Sequence, residues 1–207
     1  RVRDPSKQAA LMDIIQDDVK RLDRLISDIS DASRLDAELA RGEMEPVDLG
    51  RLLPALVQVH ETTGMERRRA ALAFRGDTAN CTVYGIEGRL VQVFQNLINN
   101  ALSFTAPEGE IVLSLRRDRG DVVIQIDDQG PGIPVESLDS VFERFYSERP
   151  EGETFGRHSG LGLSISRQII EAHGGTIHAE NIHGDKDGRR RQRIGARFVV
   201  RLAAARP

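Results

Sequence analysis

Residues 87–105 place Leu90, Val93, Phe94, Leu97, Ile98 and Ala101 on one face of a helix. Two runs follow, Ile111–Arg116 and Val122–Asp127, which alternate apolar and polar about the turn Arg119-Gly120-Asp121. A helix stripe and two half-buried strands, joined this closely, can bury their apolar faces only on one another. Further on, Leu161–Ala172 reads as a helix closed by His173-Gly174-Gly175, and Thr176–Glu180 and Ala196–Leu202 read as strands. Upstream, a helix is expected at 50–62, with short strands around Ala71–Phe74 and Thr82–Tyr84. The order predicts an α+β fold, a two-layer sandwich with one mixed sheet and helices over one of its faces.

Residues 7–40 have a different pattern. Leu11, Ile15, Leu22, Leu25, Ile29, Ala32 and Leu39 fall close to heptad a and d positions, with Val19 and Ile26 beside them. The spacing predicts one long amphipathic helix, interrupted by Asp18 and Asp36, started by Pro5-Ser6 and stopped at Gly42. Its stripe must bury itself on a second helix, a second copy or the body of the protein. Glu43-Met44-Glu45-Pro46 reads as a short linker. The division expected is therefore residues 1–42 as the helix and 43–207 as a catalytic domain.

Composition excludes some classes of function. With 39% hydrophobic and 29% charged residues, a folded chain is expected rather than a disordered one. A formal charge of −3 argues against broad nucleic-acid binding, and the run Arg189-Arg190-Arg191 reads as a solvated hairpin loop. A single cysteine, Cys81, rules out an internal disulfide and fits a reducing compartment. No apolar run approaches the ~20 residues of a membrane helix.

The chemistry concentrates in three polar motifs. Asn96 and Asn100 are four residues apart and share a helix face. Their amide oxygens can coordinate a hard cation and their amide nitrogens can donate to phosphate. A plain solvent-facing side is the alternative, but Asn is a poor helix former and Asn99 adds a third. Next, Asp128 follows a strand and precedes Gly130-Pro131-Gly132-Ile133. A carboxylate there can accept from the exocyclic amine of adenine and would repel the carbonyl of guanine. The same residues can also be an Asp-initiated turn.

The third motif, Ser159-Gly160-Leu161-Gly162-Leu163, opens a helix, and the amides of a helix N-terminus bind phosphate. The polar stretch from Glu148 to Ser159, with Gly152 and Gly156, has the composition of a lid. The motif is neither a dinucleotide fingerprint nor a P-loop, since Ile165 stands where a third glycine is required and no Gly-Lys-Ser/Thr occurs. His60, His173, His178 and His183 have no zinc-like spacing to Cys81.

In this order the motifs resemble the boxes of sensor histidine kinases. Residues 96–104 resemble the N box and Asp128–Ile133 the first glycine box. Val141–Tyr146 resembles the F box, Ser159–Leu163 the second glycine box and Gly195–Phe198 the last one. The helix over 7–40 resembles the second helix of the dimerisation and phosphotransfer hairpin. The wording of Leu25–Ile29, Arg34–Leu39 and Glu143–Tyr146 is most like the alphaproteobacterial kinases of the ChvG/ExoS type.

The resemblance implies the ATPase superfold shared with Hsp90, and ATP and Mg²⁺ as the ligands. Asn100 would then hold Mg²⁺, Asn96 would contact phosphate and Asp128 would hold the adenine amine. Gly130, Gly132 and Ile133 would line the base, and Gly160, Gly162 and Leu163 would close over the phosphates. Phe145, Tyr146, Ser159 and Leu161 complete the implied nucleotide-binding set. Ser103 and Ser147 stand where many members carry Lys or Arg, so phosphate charge would fall to the metal, to backbone amides, or to Arg149 or Arg157.

The activity implied is transfer of the γ-phosphoryl of ATP to a hairpin histidine and then to an aspartate of a response regulator. That histidine belongs to a first hairpin helix expected before residue 7, so no residue of this chain is expected to be catalytic itself. The implied partners are a response regulator and a second copy joined through the hairpin helices. The implied location is the cytoplasmic portion of an inner-membrane sensor. Two other readings remain, a hydrolytic ATPase of the same superfold and a non-enzymatic nucleotide-dependent docking module. The first needs a glutamate base four residues before the metal-binding Asn, where this chain has Asn96.

Overall fold

In the computed structural model, residues 41–64, 70–146, 160–186 and 190–205 are described throughout, with single positions between 12 and 39. The elements run β1 (Glu45–Asp48), α1 (Leu49–Gly64), β2 (Ala71–Gly76), β3 (Thr82–Gly85), α2 (Glu87–Phe104), β4 (Glu110–Asp118), β5 (Asp121–Asp127), α3 (Gly162–Ala172), β6 (Thr176–Lys186) and β7 (Arg190–Ala203). Two single 3₁₀ turns, Val135–Ser137 and Ser140–Phe142, lie between β5 and α3.

The principal sheet has the order β2-β4-β5-β7-β6. Strands β2 and β4 are parallel, with Leu72 opposite Ile111, and the other pairs are antiparallel. The turn between β4 and β5 contains Arg119 in the left-handed region, at φ 58°, beside Gly120. The sheet is mixed, as the alternating runs predict. Glu45 and Pro46, expected within a linker at Glu43–Pro46, instead begin the strand Glu45–Asp48, which pairs with β3 in a second, two-stranded sheet. Pro46 is compatible with that position because a two-stranded ribbon is all edge. Strands β6 and β7 also run farther than the alternation indicates, and His183 lies within β6 rather than in a loop.

Helices α1, α2 and α3 cover one face of the principal sheet. Leu90, Val93, Phe94, Leu97, Ile98 and Ala101 of α2 are all buried, as the helical stripe predicts. They pack in one core with Ile111, Leu113 and Leu115 of β4, Ile124 and Ile126 of β5, Ile165, Ile169 and Ile170 of α3, and Phe198 and Val200 of β7. Apart from Ala101, each of these side chains stabilises the fold by roughly 1.5–3 kcal/mol on burial. On the open face of the sheet, the Arg197 guanidinium makes a bidentate pair with Asp127, at 2.7 and 2.6 Å.

The helix expected over 7–40 falls mostly outside the described residues, including its seam positions Leu11, Leu25, Ile29 and Ala32. Met12, Ile15, Val19, Leu22 and Ile26, which are described, are exposed. Leu35 is instead fully buried in the core of the domain that follows, Leu39 packs against it, and Glu38 pairs with Arg89 of α2. Among the described residues no helix is long and apolar enough to cross a membrane.

Candidate nucleotide site

The site is built where α2, the end of β5 and the start of α3 meet. Because the apolar stripe of α2 faces the sheet, Asn96 and Asn100 are carried on another side, both half-buried, with Asn99 exposed. Asn96 is not idle there. Its Nδ2 donates to the Gly162 carbonyl at 3.1 Å and to Ser166 Oγ at 3.4 Å. Ser166, fully buried, donates in turn to the same carbonyl at 2.8 Å. This triangle ties the first turn of α3 to the polar side of α2. The amide nitrogen expected to contact phosphate is therefore engaged with the backbone of α3. The Asn100 side-chain amide makes no hydrogen bond among the described residues, while its backbone carbonyl accepts from Ser103 Oγ at 2.8 Å.

Asp128 follows the last residue of β5 and is 4% exposed. Its Oδ1 accepts from the Gly130 N–H at 2.8 Å and from the Ala196 N–H at 3.1 Å. Its own N–H donates to the Ala196 carbonyl at 2.9 Å, so β7 holds this residue from backbone and side chain together. Both side-chain bonds end on Oδ1, and Oδ2 takes none among the described residues. Burial pushes the Asp128 carboxyl above its ordinary value, the two backbone N–H groups pull it down, and neighbouring Asp127 adds to the rise. A buried carboxylate with one oxygen fixed and one uncommitted is suited to accept one hydrogen bond of defined direction.

Two glycines around Asp128 are dictated by close approach. A Cβ at Gly130 would meet Asp128 Oδ1 and the Phe104 carbonyl at 3.0 Å. Gly132 has φ 72°, and a Cβ there would meet Asn181 Oδ1 at 2.7 Å. Ile133 is gripped by β6: its N–H donates to Asn181 Oδ1 and its carbonyl accepts from Asn181 Nδ2, each at 2.7 Å.

At the opposite end, the Phe145 N–H donates to the Gly160 carbonyl at 3.0 Å. Gly160 has φ 71°, and a Cβ there would meet the Tyr146 carbonyl at 2.9 Å. The residues flanking the lid stretch are thus bonded to each other. Ser159, Arg149 and Arg157 lie outside the described residues. Helix α3 begins at Gly162 with Leu161 at the N-cap position, so among the described residues no capping side chain bonds to its first turn. Leu161 is buried, and Leu163 packs against the core. Those two can serve phosphate only through the backbone. Gly162 is not sterically required, since a Cβ there would meet Asn96 at 3.5 Å, an ordinary contact.

The F-box residues divide. Phe142 is buried, edge-on to Phe198 with ring centroids 6.1 Å apart, and the Arg167 guanidinium stands 4.3 Å from its ring centroid. Phe145 is exposed and in the left-handed region at φ 65°, and Tyr146 is half-buried. The residues of this site that sequence reasoning does not assign are Asn181, Ser166 and the Ala196 amide. Ala196 lies in the last glycine box, but the roles of all three depend on the distant residues Asp128, Ile133 and Asn96, which their local sequence does not name.

A magnesium ion is implied by the resemblance, and the residues present are compatible with it. Among the described residues no three His, Cys, Asp or Glu side chains group as a metal site. Magnesium needs no such cage, since it keeps water and is held by one or two protein oxygens together with phosphates. Asn100, whose side-chain amide is uncommitted among the described residues, would supply a donor of that kind.

Comparison with known proteins places these features in a family. Residues 85–206 match the model for histidine kinase-, DNA gyrase B-, and HSP90-like ATPases. The chain is 53% identical over 208 residues to the sensor protein ChvG of Rhizobium meliloti (strain 1021), covering 98% of this chain and 35% of that protein. It is 46% identical to the sensor protein ChvG of Agrobacterium fabrum, covering 99% of this chain and 35% of that protein. The chain thus spans about a third of the length of these relatives. Among solved structures it is similar to full-length ShkA in complex with AMPPNP, with a TM-score of 0.71 and 26% identity over 97% of this chain and 40% of that one. The chain belongs to the family of histidine kinase-, DNA gyrase B- and HSP90-like ATPases, as a homologue of the ChvG sensor proteins.

Proposed function

We propose that this chain is the ATP-binding part of a sensor histidine kinase, and that the pocket between α2, Asp128 and α3 takes ATP with Mg²⁺. The observation that carries the reading is Asp128, buried at a strand end, with Oδ1 held by two backbone amides and Oδ2 uncommitted. Oδ2 would accept from the adenine amine. Gly130, Gly132 and Ile133 would line the base, and the first amides of α3 would meet the phosphates. Asn100 would hold the metal, which supplies charge neutralisation at the phosphates. Asn96 serves this site by fixing α3 against α2.

The reaction would pass the γ-phosphoryl to a histidine on the dimerisation hairpin and then to an aspartate of a response regulator. Phosphoryl transfer of this kind asks the protein for positioning and charge stabilisation, with no base in this domain. Hydrolysis would need a general base beside the metal-binding Asn. Four residues before Asn100 stands Asn96, a neutral amide already bonded to Gly162, which does not support the hydrolase reading.

Calorimetric titration tests the base assignment. ATP is expected to bind about tenfold to a hundredfold tighter than GTP, the worth of one buried hydrogen bond. The preference should vanish in Asp128→Asn. Equal affinities in the unmodified chain would sink the reading. For the transfer step, γ-labelled ATP is mixed with the chain and a separate peptide carrying the first hairpin helix. Acid-labile, alkali-stable label on the peptide is expected, at low yield because the partner is unlinked.

A further inference from the structure

We propose that Asn181 of β6 is a positioning residue for the base-binding lip, and that it sets how tightly the purine half of the nucleotide is held. The proposal rests on the reading of Asp128–Ile133 as the base site. Residues 128–134 form no helix or strand, so their conformation depends on tertiary ties. Two are visible. At the start of the lip, the Asp128 N–H donates to the Ala196 carbonyl and Oδ1 accepts from the Ala196 N–H; at its end, Asn181 donates to the Ile133 carbonyl and accepts from the Ile133 N–H, both at 2.7 Å.

A side-chain amide thus makes the pair of bonds that a neighbouring strand would make, on a residue that belongs to no strand. The chemistry requires one donor and one acceptor in a plane, which Asn offers and Asp or Leu does not. Arg193 of β7 adds a third bond from Nη1 to the same Ile133 carbonyl at 2.7 Å. The turn is shaped to the amide as well: Gly132 is left-handed, and a Cβ there would meet Asn181 Oδ1 at 2.7 Å and the Gly195 carbonyl at 3.2 Å. Ile133 also packs its side chain on the core. The amide therefore fixes the height of the lip over the pocket, and the β6–β7 hairpin becomes part of base recognition without touching the nucleotide.

The test uses the full 207-residue chain and the variants Asn181→Ala, Asn181→Asp and Arg193→Ala. Each is titrated with ADP and with inorganic tripolyphosphate in the presence of Mg²⁺, and amide exchange is followed at Ile133. Asn181→Ala should weaken ADP about tenfold and leave tripolyphosphate within about twofold. Exchange at Ile133 should accelerate. Asn181→Asp keeps the acceptor and loses the donor, so its ADP affinity should fall between the two. A purely structural role would lower both ligands together, and that result, or unchanged ADP affinity, overturns the proposal.

Should Asn181→Ala fail to fold, Arg193→Ala decides. It removes an exposed third bond, and a loss of about two- to threefold for ADP alone supports the lip model. No selective loss overturns it. Failure of the underlying reading has a different signature, since Asp128→Asn would then leave the ATP/GTP ratio unchanged. An intact Asp128 effect with a silent Asn181→Ala sinks only the present inference.

Discussion

Gly195 of β7 lies against the backbone of Asp128 so closely that a Cβ on it would stand 1.8 Å from the Asp128 carbonyl oxygen. No side-chain rearrangement can relieve that contact, because the obstacle is backbone. The next residue, Ala196, donates its N–H to Asp128 Oδ1, so the same approach that forbids a side chain also orients the carboxylate. Gly195→Ala should therefore cost about 1–3 kcal/mol or more in stability, and it should weaken nucleotide binding. Denaturant unfolding and an ATP titration check both parts. A variant as stable as the parent would mean that β7 does not hold Asp128 in this way.

Asp128→Asn separates stability from recognition. Burial raises the Asp128 carboxyl in the folded state, so ionised Asp128 costs folding free energy at neutral pH. That cost is absent below the unfolded value of about 4, grows as pH rises through the raised folded value, and is complete above it. The Asn variant keeps an Oδ1 for the Gly130 and Ala196 amides. It should melt a few degrees above the parent at pH 7 while losing the preference for ATP, and the difference should close toward acid. Scanning calorimetry across that range gives the answer.

Asn100→Ala removes a half-buried amide with no hydrogen bond among the described residues, so stability should stay within about 0.5 kcal/mol. The tightening of ATP binding by Mg²⁺ should disappear, and adenosine should bind as before. Equal loss of adenosine would show that Asn100 does not face the metal end.

The Asn96–Gly162–Ser166 triangle predicts non-additivity. Asn96→Ala alone should cost about 1 kcal/mol, because the helical Ser166 N–H and Ser166 Oγ still satisfy the Gly162 carbonyl. Each single variant breaks the same Asn96–Ser166 bond, so the loss in the double variant with Ser166→Ala should fall short of the sum of the single ones. A strictly additive cycle would remove the tie between α2 and the start of α3.

Cys81 is 1% exposed, and burial, with Asp77 next in effect, pushes its thiol up. Alkylation by maleimide at neutral pH should be slow in the folded chain and fast in denaturant. Rapid labelling of the native protein would show that the β3 end opens readily.

Some of this was legible without coordinates. Periodicity alone identifies α2, since the six positions of its expected stripe are the six buried ones, and the alternation over 111–116 and 122–127 identifies β4 and β5. The reading fails at Glu45–Asp48, where Pro46 and the charged neighbours carry no strand signal and pairing with β3 alone makes the strand. It also stops β6 and β7 short, because the hairpin continues past the last residues that contribute to the core.

The sequence by itself determined every element but β1, which faces the helices and central strands bury, and which residue types line the pocket, because helix and strand periods and turn chemistry are local properties. Tertiary structure alone decided how those residues are used. Asn96, read as a phosphate ligand, gives its amide to a carbonyl 66 residues away, and Asp128 is aimed by an amide 68 residues away. Asn181 reaches 48 residues back to Ile133. Such bonds depend on how α3 packs on α2 and on the register in which β6 and β7 join the sheet. A motif states what a residue can donate or accept, and only the packed chain supplies the partner.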